Sequence, residues 1–147
     1  MINTTLCYIR RGEEYLMLHR IKKVNDENHD KWIGVGGKFE DGESPEECML
    51  REVYEETGLV LTSYSFRGIV TFVSDKWETE YMHLFTANTA DECVVPCTEG
   101  DLCWIDEDKI LSLNLWEGDR IFFRLLSEGA PFFSLKLVYD GGSVLKS

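Results

Sequence analysis

The sequence predicts an α/β (α+β) fold, a mixed sheet covered on both faces by helices, in a single domain spanning residues 1–147. Strand-like stretches come first, a sharply marked helix interrupts them after Ser44, and another helix lies near the end. A chain of 147 residues suits one buried core, and no internal repeat, low-complexity tract or linker divides it.

Taken in order, Thr4 to Arg10 and Tyr15 to Arg20 read as strands around an Arg11-Gly12-Glu13-Glu14 turn. Ile21 to Lys31 is polar and reads as a loop. Trp32 to Phe39 is a short apolar stretch broken by Gly34, Gly36 and Gly37, which suggests a close backbone approach to another group. Ser44 to Thr57 is the clearest helix. Ser44 suits the N-cap, Pro45 the first helical position, Glu47 completes a capping box, and Gly58 ends the helix. Met49, Val53 and Thr57 recur at helical spacing and offer a face to the core. Leu59 to Val73 and Glu80 to Asn88 read as strands joined by Ser74 to Thr79. Asp106 is expected to cap a short helix through Leu111, and Glu117 to Ser127 reads as a further helix. Phe132 to Tyr139 and Ser143 to Leu145 are expected to pair around Asp140-Gly141-Gly142.

The formal net charge of −12 argues against a nucleic-acid polymer as partner. It leaves room for a small phosphorylated ligand, because divalent cations can stand between carboxylates and phosphates. No apolar run is long enough to span a bilayer, and the N-terminus lacks the regions of a secretory signal. The cytoplasm is the expected compartment. Five cysteines, with no Cys-x-x-Cys pair, read as reduced thiols, although Cys93, Cys97 and Cys103 cluster. His19, His29 and His83 fall in no metal-ligand spacing. Whether the chain is a monomer or a homodimer is left open.

Glu52, Glu55 and Glu56 stand at i, i+3 and i+4, so three carboxylates share one helical face. Like charges at that spacing repel unless something neutralises them. A solvated acidic face and a divalent-cation site are the two readings. Three details favour the cation. Arg51 is placed to lock one of these carboxylates, or Glu43, in a bidentate pair; glycines sit at both ends; and Gly36-Gly37 can present a bare carbonyl.

This stretch resembles the Nudix box, G-x5-E-x7-R-E-U-x-E-E-x-G-U with U aliphatic. Gly37, Glu43, Arg51, Glu52, Val53, Glu55, Glu56, Gly58 and Leu59 match every fixed position. The resemblance implies an α/β/α sandwich, a divalent cation (magnesium, with manganese as the expected substitute) and a nucleoside diphosphate derivative as substrate. It also implies that Glu52, Glu55 and Glu56 bind metal together with the Gly36 carbonyl, and that Glu52 is a candidate base. Lys38 and Gly37 adjoin the box as substrate contacts.

Outside the box the chain is similar to MutT-like enzymes that hydrolyse oxidised purine nucleoside triphosphates. Trp32 leading into Gly34, Gly36, Gly37 and Lys38 carries this likeness, as does Trp104 with Glu99 five residues before it. The resemblance makes Glu99 an extra ligand or base candidate. Trp116-Glu117-Gly118-Asp119 resembles a base-reading segment, in which Trp116 would stack on the base and Asp119 would bond to its edge. Gly118 replaces the first acid of that segment, and Ile33 replaces an asparagine. Phe72, Tyr81, His83 and Phe85 are further candidates to line the pocket. The expected reaction is magnesium-dependent hydrolysis of purine triphosphates such as 8-oxo-dGTP to monophosphate and pyrophosphate. The alternatives are another diphosphate derivative, such as a nucleotide sugar, and a catalytically silent nucleotide-binding module.

Overall fold

The first strand, β1 (Ile2–Arg11), serves two cores at once. Successive side chains on a strand point to opposite faces. Its Leu6 and Tyr8 join one apolar cluster, while Cys7 and Ile9 join the other. Residues 4–9 are consequently all buried, as in any strand covered on both sides. The computed structural model describes residues 1–20, 30–90, 101–140 and 143–146.

The elements that follow are β2 (Glu14–His19), β3 (Trp32–Ile33), β4 (Val35–Lys38), α1 (Pro45–Thr57), β5 (Tyr64–Ser74) and β6 (Glu80–Asn88). After these come β7 (Asp101–Asp106), a 3-10 turn (Glu107–Ser112), α2 (Glu117–Ser127), β8 (Phe133–Asp140) and β9 (Ser143–Lys146). The described strands form one mixed sheet in the order β3-β2-β1-β6-β5-β8-β9, with β4 added on β1 and β7 on β2. Parallel pairing joins β1 to β6 and β5 to β8, and the other pairs are antiparallel. On one face α1 packs Met49 and Val53 against Cys7, Ile9, Leu16 and Phe85. On the other, α2 and the 3-10 turn pack Phe122, Phe123, Leu126 and Ile110 against Leu6, Tyr8, Met17, Leu84 and Leu137. The α+β sandwich expected from the sequence is therefore the observed fold. No helix among the described residues is long and apolar enough to cross a membrane.

Three elements differ from the expectation. The strand after α1 begins at Tyr64, not Leu59. Leu59 and Leu61 are buried against α1 as anchors of the chain reversal, and the Leu59 amide donates to Thr57 Oγ1 at 3.0 Å instead of to a ladder. The segment after Asp106 is a 3-10 turn, and Asp106 makes no side-chain capping bond. A strand over Asp101–Asp106 was not expected at all. Its apolar run between two acids has no period of its own, and its pairing with β2 is set by residues far away in sequence. Ile21 to His29, Asp91 to Gly100 and Gly141-Gly142 lie outside the described residues, and with them Glu99, Cys93, Cys97 and part of the expected polar loop.

Candidate active site

Local chemistry sets α1. The Glu47 amide donates to Ser44 Oγ at 3.1 Å and the Ser44 amide to Glu47 Oε1 at 2.9 Å, closing the expected capping box. Gly58 ends the helix with φ at 80°, a left-handed conformation cheapest for glycine. Cys48, Met49, Val53 and Thr57 are buried against the sheet. That fixes the rotation of the helix. Arg51, Glu52 and Glu56 are left half-buried beside the core and Glu55 exposed.

Arg51 is the hub of this face. Its Nε and Nη2 donate to the two oxygens of Glu43 at 2.7 and 3.0 Å, a bidentate pair. Its Nη1 donates to Glu52 Oε1 and to Glu55 Oε1, each at 2.9 Å, and Nη2 also reaches the Lys38 carbonyl at 3.0 Å. Hydrogen bonding from Arg51, then from the Glu40 backbone, lowers the Glu43 carboxyl to about 2. The Arg51 guanidinium is raised in turn, chiefly by Glu43. Of the carboxylates foreseen for Arg51, Glu43 takes the bidentate bond, while Glu52 and Glu55 each take a single one.

Strand β4 brings the backbone to this helix. Gly36 and Gly37 pair with Leu6 and Thr5 of β1. A Cβ on Gly36 would lie 1.9 Å from the Thr5 carbonyl oxygen, and one on Gly37 2.5 Å from the Glu52 carboxyl carbon. The close approach anticipated from the glycines is thus to β1 and to Glu52. Gly36→Ala is expected to destabilise the protein by at least about 1–3 kcal/mol, because the obstructing atom is backbone and cannot swing away. A thermal melt measures this, and an unchanged melting temperature would contradict the packing.

The donor set around α1 consists of carboxylate and backbone carbonyl oxygens, which suits a hard divalent cation and no soft one. Among the described residues no three His, Cys, Asp or Glu side chains stand as a ready metal-ligating group. Glu52 and Glu55 are instead drawn to Arg51.

A second polar group sits on the opposite face of the sheet. Thr4 and Thr5 are neighbours on β1 and point opposite ways. Thr5 Oγ1 lies 3.5 Å from Cys48 Sγ on α1, whereas Thr4 Oγ1 donates to Glu80 Oε2 at 2.6 Å. Across from Glu80 in register on β5 is Phe72, and the charge of Glu80 acts on Asp119 in the first turn of α2, which Trp116 precedes. The Trp116 ring meets Trp77 and Tyr139 edge-on at 6.1 and 6.0 Å, and Lys31 Nζ stands 4.9 Å from its centroid. The Gly118 amide donates to Tyr139 Oη at 2.8 Å. A Cβ at Gly118 would fall 2.4 Å from that oxygen, so the Tyr139 hydroxyl fills the space of a side chain at this position.

Asp119 is 5% exposed, and burial, then the charge of Glu80, raises its carboxyl from 3.8 to about 8, with Lys31 opposing. Between those values the folded protein keeps a proton that the unfolded chain has released. Stability contributed by the protonated group is therefore lost as pH rises towards 8. Relative to wild type, Asp119→Asn should flatten this fall, by at most about 1.4 kcal/mol per pH unit. Chemical denaturation of both proteins at pH 5, 7 and 9 measures the difference, and parallel curves would contradict the raised carboxyl.

The structure thus gathers Gly36, Gly37, Glu43, Arg51, Glu52 and Glu55 around α1, with Glu56 on the same helix. It places Trp116 and Asp119 together on the other face. Lys38 is exposed on the β4 edge, and Ile33 pairs with Leu18. Phe72 does not join Tyr81, His83 and Phe85: it packs on the α2 face, whereas Phe85 is core beneath α1 and His83 packs on Phe39 and Phe66. Thr4, Glu80, Lys31 and Tyr139 were not foreseen. The only sequence signal for Glu80 is its parity with Met82 and Leu84, inward-facing residues of the same strand.

Hard oxygen donors on one face and a group of aromatic and acidic side chains on the other suit a hydrolase that acts on phosphoanhydride bonds. Comparison with known proteins supplies the family: the profile described as NUDIX domain matches residues 2–126, and the chain belongs to the Nudix family of such hydrolases. It is 34% identical over 104 residues to the oxidized purine nucleoside triphosphate hydrolase of Danio rerio, covering 69% of this chain and 66% of that one. An uncharacterized Nudix hydrolase of Bacillus subtilis is 28% identical over 130 residues, covering 85% and 78%. The fold superposes on the MutT protein of Bacillus halodurans with a TM-score of 0.87 at 24% identity, covering 99% of this chain and 95% of that one. Divalent metals are the general requirement of the family.

Proposed function

We propose that this single-domain chain is a magnesium-dependent nucleoside triphosphate pyrophosphohydrolase, with manganese as substitute. It acts on purine deoxynucleoside triphosphates, oxidised forms such as 8-oxo-dGTP included, and releases the monophosphate and pyrophosphate. The observation that carries this reading is the back-to-back placement of the two polar groups at Thr4 and Thr5. Beside them runs β4, with which only β1 pairs among the described residues. One extended substrate can set its anhydride against α1 and its base against the first turn of α2 by passing over Gly36, Gly37 and Lys38. The relatives in Danio rerio and Mus musculus named as oxidized purine nucleoside triphosphate hydrolases favour the same substrate class.

A bound divalent cation would neutralise the anhydride oxygens and lower the pKa of an attacking water. Glu52, Glu55 and Glu56, with the Gly36 carbonyl, are the oxygens assigned to hold it. Arg51 orients Glu52, which accepts the proton of the water as the P–O bond breaks. Glu99 is the other candidate for that role. Lys38 offers a positive contact to the phosphates, Trp116 a stacking face and Asp119 a hydrogen-bonding edge. Incubation with magnesium and a panel of normal and oxidised triphosphates, nucleotide sugars and other diphosphates tests the assignment. Pyrophosphate release from purine triphosphates is expected, and hydrolysis confined to the other diphosphates would overturn it.

A further inference from the structure

We propose that the outer half of the α1-side sheet face, formed by β5, β8 and the adjoining part of β6, is the surface on which a second copy of this chain docks to form a twofold dimer.

Register defines the face. α1 lies over β1 and β4, with Phe85 of β6 beneath it. His83 and Tyr81 alternate with Phe85 along β6 and share its side of the sheet. Opposite His83 on β5 is Ile69, and opposite Tyr81 is Thr71. β8 continues these rows, with Ser134 beside Ile69, Lys136 beside Thr71 and Val138 beside Val73.

Burial separates the two sides of the same strands. Val70 and Leu137, on the α2 side, are fully buried, whereas Ile69, Val73 and Val138 are half-exposed and belong to neither core. The apolar surface continues past Phe66 to Phe132, which is 59% exposed and meets Phe66 edge-on at 5.2 Å. A contiguous apolar patch on a sheet face marks a docking surface, because covering it removes apolar area from water.

Charge and register name the occupant. The chain carries 27 acidic residues against 15 Lys and Arg, so two copies repel each other in most orientations. None of these described row positions is acidic, and Lys136 brings them a positive charge. The row Tyr81, Thr71, Lys136 is also self-complementary. A twofold axis running along β5 above Thr71 sets the two faces together with their strands aligned, as packed sheets prefer. It lays β8 of each copy over β6 of the other. Lys136 then stands over the partner's Tyr81 ring, and Tyr81 receives the partner's Lys136, so one axis makes two cation–π contacts.

The area suits a reversible dimer. At about 3.3 Å per residue the 11 residues of β5 run about 36 Å, and three strands about 4.8 Å apart span about 14 Å. Each copy offers about 500 Å² in outline, and the pair buries about 1,000 Å², the lower bound for a specific interface.

Sedimentation equilibrium of the full chain over roughly 1–100 μM measures the association, with circular dichroism melts of each protein. A dimer with a Kd in the micromolar range is expected, as suits an interface of this size. Thr71→Glu sets two carboxylates together on the axis and should raise Kd at least about a hundredfold. Lys136→Glu, at an exposed position, should raise it about tenfold and carries the test if Thr71→Glu fails to fold. Adding Tyr81→Lys to Lys136→Glu restores an attractive pair across the axis and should recover most of the loss. A monomer over the whole concentration range overturns the proposal. So does a dimer whose Kd is unchanged in every folded variant, since its contact would then lie elsewhere.

Discussion

Replacing Glu56 with glutamine is expected to lower kcat by about a hundred- to a thousandfold and leave the fold intact. Glutamine keeps the shape of the side chain and its helix propensity, so α1 has no reason to change. What disappears is one negative oxygen from a face that already carries Glu52 and Glu55. A hard cation holds carboxylate oxygens far better than amide oxygens, and the charge it stabilises grows as the anhydride breaks. The loss should therefore fall on kcat more than on KM. Steady-state kinetics over a magnesium titration, with circular dichroism melts, measure it. A folded variant turning over at near wild-type rate at every magnesium concentration would contradict the role assigned to Glu56. Glu52→Gln should behave similarly.

Arg51→Ala is expected to damage stability and activity together, with a fall in melting temperature of roughly 5–10 °C. The guanidinium satisfies both oxygens of Glu43, one each of Glu52 and Glu55, and the Lys38 carbonyl. Without it Glu43 and Glu52, whose side chains are 15% and 17% exposed, lose the guanidinium that both of them bind. The change should also alter acid sensitivity. Glu43 is lowered to about 2 in the folded protein, chiefly by Arg51. Its contribution is present above the ordinary carboxylate pKa and is lost as pH falls towards 2. Wild type should accordingly lose stability faster than the variant between pH 4.5 and pH 2. Arg51→Lys should recover only part of the loss, because an ammonium cannot make the forked pair. Urea melts of the three proteins at pH 7 and pH 3 measure this, and a constant difference between wild type and Arg51→Ala would contradict the coupling.

Much of the site was legible in advance because it is local. The capping box of Ser44 and Glu47, Pro45 at the helix start and Gly58 at its end are decided within a few residues of one another. Helical periodicity then puts Glu52, Glu55 and Glu56 on one side without any knowledge of the rest of the chain. The failures are nonlocal. β7 exists because β2 presents an edge to it, and nothing within Asp101–Asp106 records that edge. β5 starts at Tyr64 because the preceding residues are occupied in turning the chain under α1. Phe72 was grouped with Phe85 on hydrophobicity, yet the two lie on opposite faces.

By itself, then, the sequence determined one helix, its three carboxylates and the glycines that let β4 approach them, since each depends on spacing along a single turn or strand. Only the tertiary structure decided that Arg51 clasps Glu43 in preference to its helical neighbours. It alone also decided that Thr4 and Glu80 lie on the same face of the sheet as Trp116 and Asp119, on the far side from α1. The reason is parity. A strand's own residues say which side chains share a face, but which face looks upon α2 is settled by pairing with strands and packing of helices that lie far away along the chain.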